Sequence, residues 1–313
     1  MAIKRAAWHL HLVWKLSSLV AASPTTATIC PMKDTCQQPV HLSVSIVLYN
    51  SSLELLQRTL ESLHRSALFA RTAACLSRVS VEVVDNSSDP HCRLAASRVI
   101  SELPQTDFFS ASYNGLPDNR GFGAGHNSVI PALLSDVHLV LNPDAELAED
   151  ALCIGISSLS EDQGIALLSP KVSSVDGRQE FLCKRYPSVL ALMLRAFAPR
   201  FVRRLFRGRL HRYEMRNVCN GEQEVDVLLA SGCFMLIPTR ALRAVGGFDD
   251  DYFLYFEDFD LSLRLGGQGR LVFNPAMQIV HHGGYAASKG IKHVKYFIES
   301  GIAFFNQHGW RWI

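Results

Sequence analysis

No two of the eight cysteines stand as a CxxC pair, and they form no ladder of short spacings. Zinc-ligand spacing and a disulfide framework are both poor readings, which leaves a reducing, cytoplasmic compartment as the expectation. A Walker loop, a nucleophile elbow and an HExxH helix are also missing. Long apolar runs are scarce as well. Residues 6–23 carry Trp8, Leu12, Trp14, Leu16 and Val20, but His9, His11 and Lys15 interrupt them, so the core is too short to span a bilayer. That stretch reads as an amphipathic surface anchor or, preferably, as part of a poorly ordered extension over residues 1–40.

Strong net charge is lacking too: the 313 residues sum to +2. The balance hides an asymmetry. Between 184 and 216, Lys184 and nine arginines face only Glu214, a local charge of +9 on a remainder of −7. Residues 190–216 interleave those arginines with Leu192, Met193, Phe197, Phe201, Leu205 and Leu210. The pattern predicts a cationic amphipathic helix suited to an anionic membrane surface. Nucleic acid is the rival partner, but no recognition motif accompanies the charge.

What is present is a repeated grammar of apolar strand, polar tip and helix. Ser43–Leu48 ends in Tyr49-Asn50-Ser51-Ser52, ahead of Leu53, Leu56, Leu60 and Leu63 at helical spacing. Val81–Val84 ends in Asp85-Asn86, Phe108–Ser112 leads to Asn119-Arg120-Gly121, and Val137–Leu141 ends in Asn142-Pro143-Asp144. Such alternation predicts an α/β fold with a mostly parallel sheet flanked by helices, its ligand at the carboxyl ends of the strands. The second half is less regular. Strands are expected at 165–168, 225–237 (bent at Ser231-Gly232-Cys233), 271–273 and 277–280, the last ending in His281-His282-Gly283-Gly284. A helix from about 291 to 305 follows.

Three tips carry chemistry. Asn142-Pro143-Asp144 offers an amide and a carboxylate on one turn, oxygen ligands suited to a hard divalent cation that also holds phosphate, though Asn-Pro-Asp is an ordinary turn as well. His281 or His282 could complete such a shell. Asp85 and Asn86 can hydrogen-bond a nucleobase edge or simply cap the next helix. Gly121-x-Gly123-x-Gly125 follows the third strand rather than the first, which argues against a nicotinamide fingerprint; its glycines would permit close approach of a sugar or pyrophosphate. The densest feature is 247–261, where Glu257, Asp258 and Asp260 open a helix behind Phe253, Leu254, Tyr255 and Phe256. Acids in a first helical turn are favoured by its amides alone. The apolar collar argues for more, because a carboxylate whose surroundings raise its proton affinity serves as a general base.

Taken together, Ser45-Ile46-Val47-Leu48-Tyr49-Asn50, Val83-Val84-Asp85-Asn86, Asn119-Arg120-Gly121-Phe122-Gly123, Asn142-Pro143-Asp144, Gly246-Gly247-Phe248-Asp249, Glu257-Asp258-Phe259-Asp260 and His281-His282-Gly283 resemble the family-2 inverting glycosyltransferases of GT-A fold, rhamnosyltransferase-like branch. The resemblance spans about 41–290. It implies a nucleotide-sugar-binding half over 41–145, an acceptor and catalytic half over 146–290 and a C-terminal helix over 291–313. By the same resemblance, Asp258 is the general base and Glu257 touches the acceptor or orients the base. Tyr49, Asn50, Asp85, Asn86, Asn119, Gly121 and Asn142 bind a nucleoside-diphosphate sugar. Asp144 and His281, with His282 as the fallback, meet a divalent cation (Mg2+ or Mn2+). Asn142 stands where the family usually has an acid. The expected acceptor is a saccharide or a lipid-linked sugar at the inner face of the membrane, with no nucleic-acid partner. The alternatives are a non-catalytic binding or scaffold protein of the same fold and a sugar nucleotidyltransferase.

Overall fold

A computed structural model describes residues 38–283 and 290–313. Most of the expected N-terminal extension, including residues 6–23, lies outside the described residues.

Strand β1 (Val40–Leu48), buried along most of its length with Leu42, Val44 and Ile46 on one face and Ser43 and Ser45 on the other, takes a central place, pairing in parallel with β2 (Leu76–Asp85) and β4 (Val137–Leu141), while β2 pairs in parallel with β3 (Phe109–Gly115). Beyond β4 the sheet turns mixed. Its order is β3-β2-β1-β4-β9-β6-β10-β5, with β5 at Ala145–Leu147, β6 at Ile165–Ser174, β9 at Phe234–Pro238 and β10 at Arg270–His281. Strand β9 runs antiparallel to β4 and β6, and β10 parallel to β6. Short β7 (Gln179–Glu180) and β8 (Val225–Asp226) pair with β6 and β10. Alternation along each strand feeds two cores: Leu139, Leu141, Phe234 and Leu236 point into one, Val140, Met235 and Ile237 into the other.

Helix α1 (Leu53–Thr72) starts at Ser52, whose hydroxyl accepts from Leu55 N–H, and buries Leu56, Leu60 and Leu63 on the first core. Its neighbours α2 (Pro90–Ser101), α3 (Phe122–Asn127), α4 (Ala151–Glu161) and, later in the chain, α8 (Thr239–Ala244) are shorter. Between β1 and β4 the core holds a polar chain. His138 accepts or donates to Ser43 Oγ (2.7 Å) through Nδ1 and to Ser45 Oγ (2.8 Å) through Nε2, and Ser45 also meets His126 Nδ1 at 2.6 Å. Burial pulls His138 down to about 3, so both rings stay neutral.

Three sequence expectations change. The strands expected at 271–273 and 277–280 are one strand, β10, in which Asn274-Pro275 makes a register shift rather than a break; Asn274 Oδ1 accepts from Ala276 and Met277 N–H there. The stretch 225–237 is strand only at its two ends. The basic segment is not one helix but three: α5 (Val189–Phe197), α6 (Arg200–Leu205) and α7 (Arg207–Tyr213). Pro199, which lacks an N–H, separates the first two, and Phe206 separates the others. Helix α9 (Glu257–Leu265) then packs with α10 (Gly290–His308) through Phe256, Phe304 and Phe305.

Candidate active site

The polar tips of β1, β2, β4 and β10 meet around one cleft of about 1050 Å³. Tyr49, Asn50, Asn86, Asn119, Gly121 and Asn142 line it, as do Asp144 and His281. Asn50 adopts a left-handed conformation (φ 48°) and gives its N–H to Ser87 Oγ at 2.8 Å. Asn86 is 3 % exposed; its Nδ2 donates to Gly121 O (2.9 Å), whereas its Oδ1 has no protein partner among the described residues. Asp85 does not line the cleft. Its Oδ1 accepts from Ser87 N–H (2.8 Å) and its Oδ2 from Tyr113 O–H (2.9 Å), so the carboxylate orders the strand tip.

Protein neighbours already require glycine at two positions of the third tip. Gly121 (φ 93°) has its α-carbon so close to Phe253 that a Cβ would overlap that carbonyl, and one at Gly123 would press on Phe248. Phe122 N–H completes the join by donating to Phe253 O at 3.2 Å. The third tip is thereby fastened to the loop that precedes α9.

The two histidines separate by strand alternation. His281 Nε2 stands 3.5 Å from Asp144 Oδ1, and its Nδ1 lies 3.1 Å from Glu180 Oε2. His282 pairs with Glu146 at 2.6 Å. Burial works against protonation of His281, but the Cys233 sulfur and Asp144 outweigh it and raise its pKa. Among the described residues no three His, Cys, Asp or Glu side chains gather as a complete metal cage. One partly exposed carboxylate and one imidazole on a cleft fit a divalent cation that takes its other ligands from phosphate and water.

Asp258 opens α9 beside this cleft rather than on its lining. Its Oδ2 accepts from Gly232 N–H at 3.0 Å and its Oδ1 from Phe259 N–H at 2.9 Å. Gly232 precedes Cys233, whose carbonyl accepts from Asn142 N–H at 2.9 Å, so one dipeptide ties the acid to the turn that carries Asp144. Burial pushes Asp258 up to about 6, against the pull of the two amides and of Lys184. Glu257 is 5 % exposed, with Oε2 unpartnered among the described residues; burial and the neighbouring Asp258 charge raise its pKa well above the usual range. Two carboxylates so close and so buried disfavour each other's charge, so the pair resists losing both protons. Tyr255 and Phe256, just before the pair, both sit at positive φ (71° and 66°), a strain of the kind stored at working sites. Asp260, the third acid of the turn, is structural: Arg264 grips its Oδ2 and His308 its Oδ1.

A buried carboxyl held above its unfolded pKa favours folding while protonated, and that contribution is lost as pH rises. Glu257→Gln is accordingly expected to raise stability at pH 7.5 by about 1–2 kcal/mol, a gain that fades below the ordinary carboxylate range. Thermal melts at pH 7.5 and 4 test this; no pH-dependent gain would mean that folding does not raise the proton affinity of Glu257.

Residues with no sequence signal also reach the cleft: Lys292, His293 and Tyr296 of α10. Tyr296 stacks on Phe253 (4.6 Å) and His293 Nδ1 meets Tyr255 O–H (2.9 Å), which gives the aromatic run 252–256 its partners.

The mixed α/β sheet with its cleft at the strand tips has the fold of the GT-A glycosyltransferases. Residues 43–227, more than half of the chain, match the model for "Glycosyl transferase family 2", and the chain belongs to that family. A curated relative, the N-acetylglucosaminyl-diphospho-decaprenol L-rhamnosyltransferase of Mycobacterium tuberculosis, is 27 % identical over 223 residues, 67 % of this chain and 69 % of the relative. Among solved structures, the mannosyltransferase PcManGT of Pyrobaculum calidifontis, in complex with GDP-Man and Mn2+, aligns with TM-score 0.56 and 16 % identity over 97 % of this chain and 74 % of its own. GalNAc-T7 with UDP, GalNAc and Mn2+ aligns with TM-score 0.55 and 15 % identity over 78 % of this chain. This chain covers 43 % of GalNAc-T7, less than half its length.

Proposed function

We propose that the chain transfers a hexose, rhamnose foremost, from a nucleoside-diphosphate donor to a saccharide or lipid-linked acceptor, with inversion at the anomeric carbon. The observation that carries this reading is the Gly232-Cys233 link, which sets Asp258 beside the turn bearing Asp144. In this reading Asp258 takes the proton of the attacking hydroxyl, and protonated Glu257 donates to the acceptor or steadies the base. No protein nucleophile is required for a single displacement. Asn86 Oδ1, buried and unpartnered, is suited to accept from a nucleobase N–H, and Tyr49 and Asn50 flank it. Asp144 and His281 would hold a divalent cation, as the Mn2+ in the complexes of PcManGT and GalNAc-T7 supports. When bound, such a cation neutralises charge gathering on the departing diphosphate.

A donor panel with Mn2+ or Mg2+ tests the reading. Release of UDP, dTDP or GDP with transfer of the sugar is expected; pyrophosphate release, or turnover of no donor, would sink it.

The reading also places the enzyme peripherally at the cytoplasmic face of a membrane. Among the described residues no helix is long and apolar enough to cross one. Instead α5 and α6 expose Met193, Phe197, Phe201 (75 %) and Leu205 (81 %) among arginines, a surface that suits anionic headgroups. Replacing Arg200 and Arg204 by Gln is expected to weaken sedimentation with phosphatidylglycerol vesicles about thirtyfold, at about 1 kcal/mol per arginine. Unchanged sedimentation would remove this surface from any membrane role.

A further inference from the structure

Helices α5, α6 and α7 enclose a second hollow, of about 230 Å³, distinct from the cleft at the strand tips. Arg195, Arg203, Arg207 and Arg216 line it, and Glu214 is its one carboxylate. Glu214 is already engaged, 2.6 Å from Arg216 Nε and 3.9 Å from Arg195 Nε. Arg207 turns to His211 at 3.4 Å, and neither Arg203 nor Arg207 has a carboxylate within 4 Å among the described residues. Four guanidinium groups around one acid repel one another, and the arrangement becomes favourable when a multiply charged anion enters. Phosphate oxygens match the planar guanidinium fork with its paired N–H donors, and a diphosphate brings several negative charges at once.

A chain of backbone hydrogen bonds connects the hollow's rim to the acid pair. Tyr213, at the end of α7, is buried, and its carbonyl accepts from Arg185 N–H at 2.9 Å. The preceding Lys184 exchanges both backbone bonds with Leu229 (2.9 and 3.2 Å). From there Ala230 N–H reaches Ser262 Oγ on α9, and Gly232 N–H reaches Asp258. Arg195 and Asp258 both act electrostatically on the Tyr213 hydroxyl, whose pKa burial raises. Around the hollow, the same helices carry the exposed Met193, Phe197, Phe201 and Leu205.

We propose that this hollow binds the diphosphate of a polyprenyl-linked acceptor, so that the attached sugar extends toward Asp258 and the prenyl chain remains with the exposed apolar side chains in the leaflet. The inference rests on the glycosyltransferase reading with a lipid-linked acceptor. It separates two sets of exposed arginines: Arg203 and Arg207 line the hollow, whereas Arg200 and Arg204 do not.

The test is sedimentation of the full chain, without donor, on neutral phosphatidylcholine vesicles with and without a small fraction of polyprenyl diphosphate. Binding to the doped vesicles is expected to be at least about tenfold tighter. Arg203→Gln/Arg207→Gln should abolish that preference, and Arg200→Gln/Arg204→Gln should keep it. Inorganic pyrophosphate should compete at least as well as a nucleoside diphosphate. Equal binding to plain and doped vesicles, a preference that survives in Arg203→Gln/Arg207→Gln, or stronger competition by the nucleoside diphosphate would overturn the assignment; thermal melts of each variant guard against misfolding. Because no donor is present, a chain that shows the preference yet turns over no sugar nucleotide would refute the transferase reading and not the diphosphate site.

Discussion

Asp258→Asn is expected to lower the turnover number for sugar transfer by roughly 10²–10⁴-fold while donor affinity changes little. The asparagine keeps one oxygen to accept from Gly232 or Phe259 N–H, so the helix start should survive, but it cannot take a proton. Isothermal titration with nucleoside diphosphate and an acceptor-dependent transfer assay separate the two effects. The pH profile sharpens the test. With burial holding Asp258 up to about 6, the wild-type rate should fall as pH drops through that value, because the base becomes protonated. Burial and the Asp258 charge raise Glu257 as well, so the two acids titrate as a pair. Transfer by the asparagine variant at the wild-type rate would remove Asp258 from the chemistry.

Asp144→Ala should have the next largest effect, on donor binding rather than on proton transfer. Asp144 and His281 are the cleft's pairing of carboxylate and imidazole, 3.5 Å apart. Loss of the carboxylate is expected to weaken Mn2+-dependent donor binding by roughly 100-fold and to leave the residual binding indifferent to chelator, given that even indirect ligand partners are worth 10–100-fold. Titration of the donor nucleotide with Mn2+ and with a chelator measures both. A variant that still binds donor tightly and still responds to Mn2+ would place the ion elsewhere. His282→Ala serves as the contrast: its ring pairs with Glu146, and donor affinity should change little.

The parallel half of the sheet was legible because β1 and β4 carry apolar stretches, β2 ends in one, and each of β1 to β4 leads to a polar tip; such tips gather at one edge of a parallel sheet. The acid pair was legible because an acidic helix start behind four apolar residues is costly without a use. Other features needed three dimensions. Adjacent strand residues face opposite ways, so His281 and His282 look equivalent until β10 is paired with β5 and β6. Asp85 looked like a ligand-binding acid because its partner, Tyr113, is 28 positions distant. The glycines from 121 to 125 looked like ligand contacts, whereas Phe253 and Phe248, more than a hundred positions later, account for two of them. Lys292, His293 and Tyr296 join the cleft from a helix that periodicity reveals but cannot place. The break at Pro199 was visible in the sequence; continuous charge across it suggested a single helix where the backbone makes three.

The row of hydroxyls and imidazoles threading the interior between β1 and β4 has a bearing on the distance across the cleft. Apolar side chains tolerate sliding, but Ser43, Ser45 and His138 match only in one alignment. A slip of one residue would turn those groups to the opposite face and strand them without partners. It would also offset Tyr49 and Asn50 from Asn142 and Asp144 by about 3.3 Å, roughly one residue's rise. The interlock thus acts as a gauge block, setting the distance across the cleft between the tips of β1 and β4.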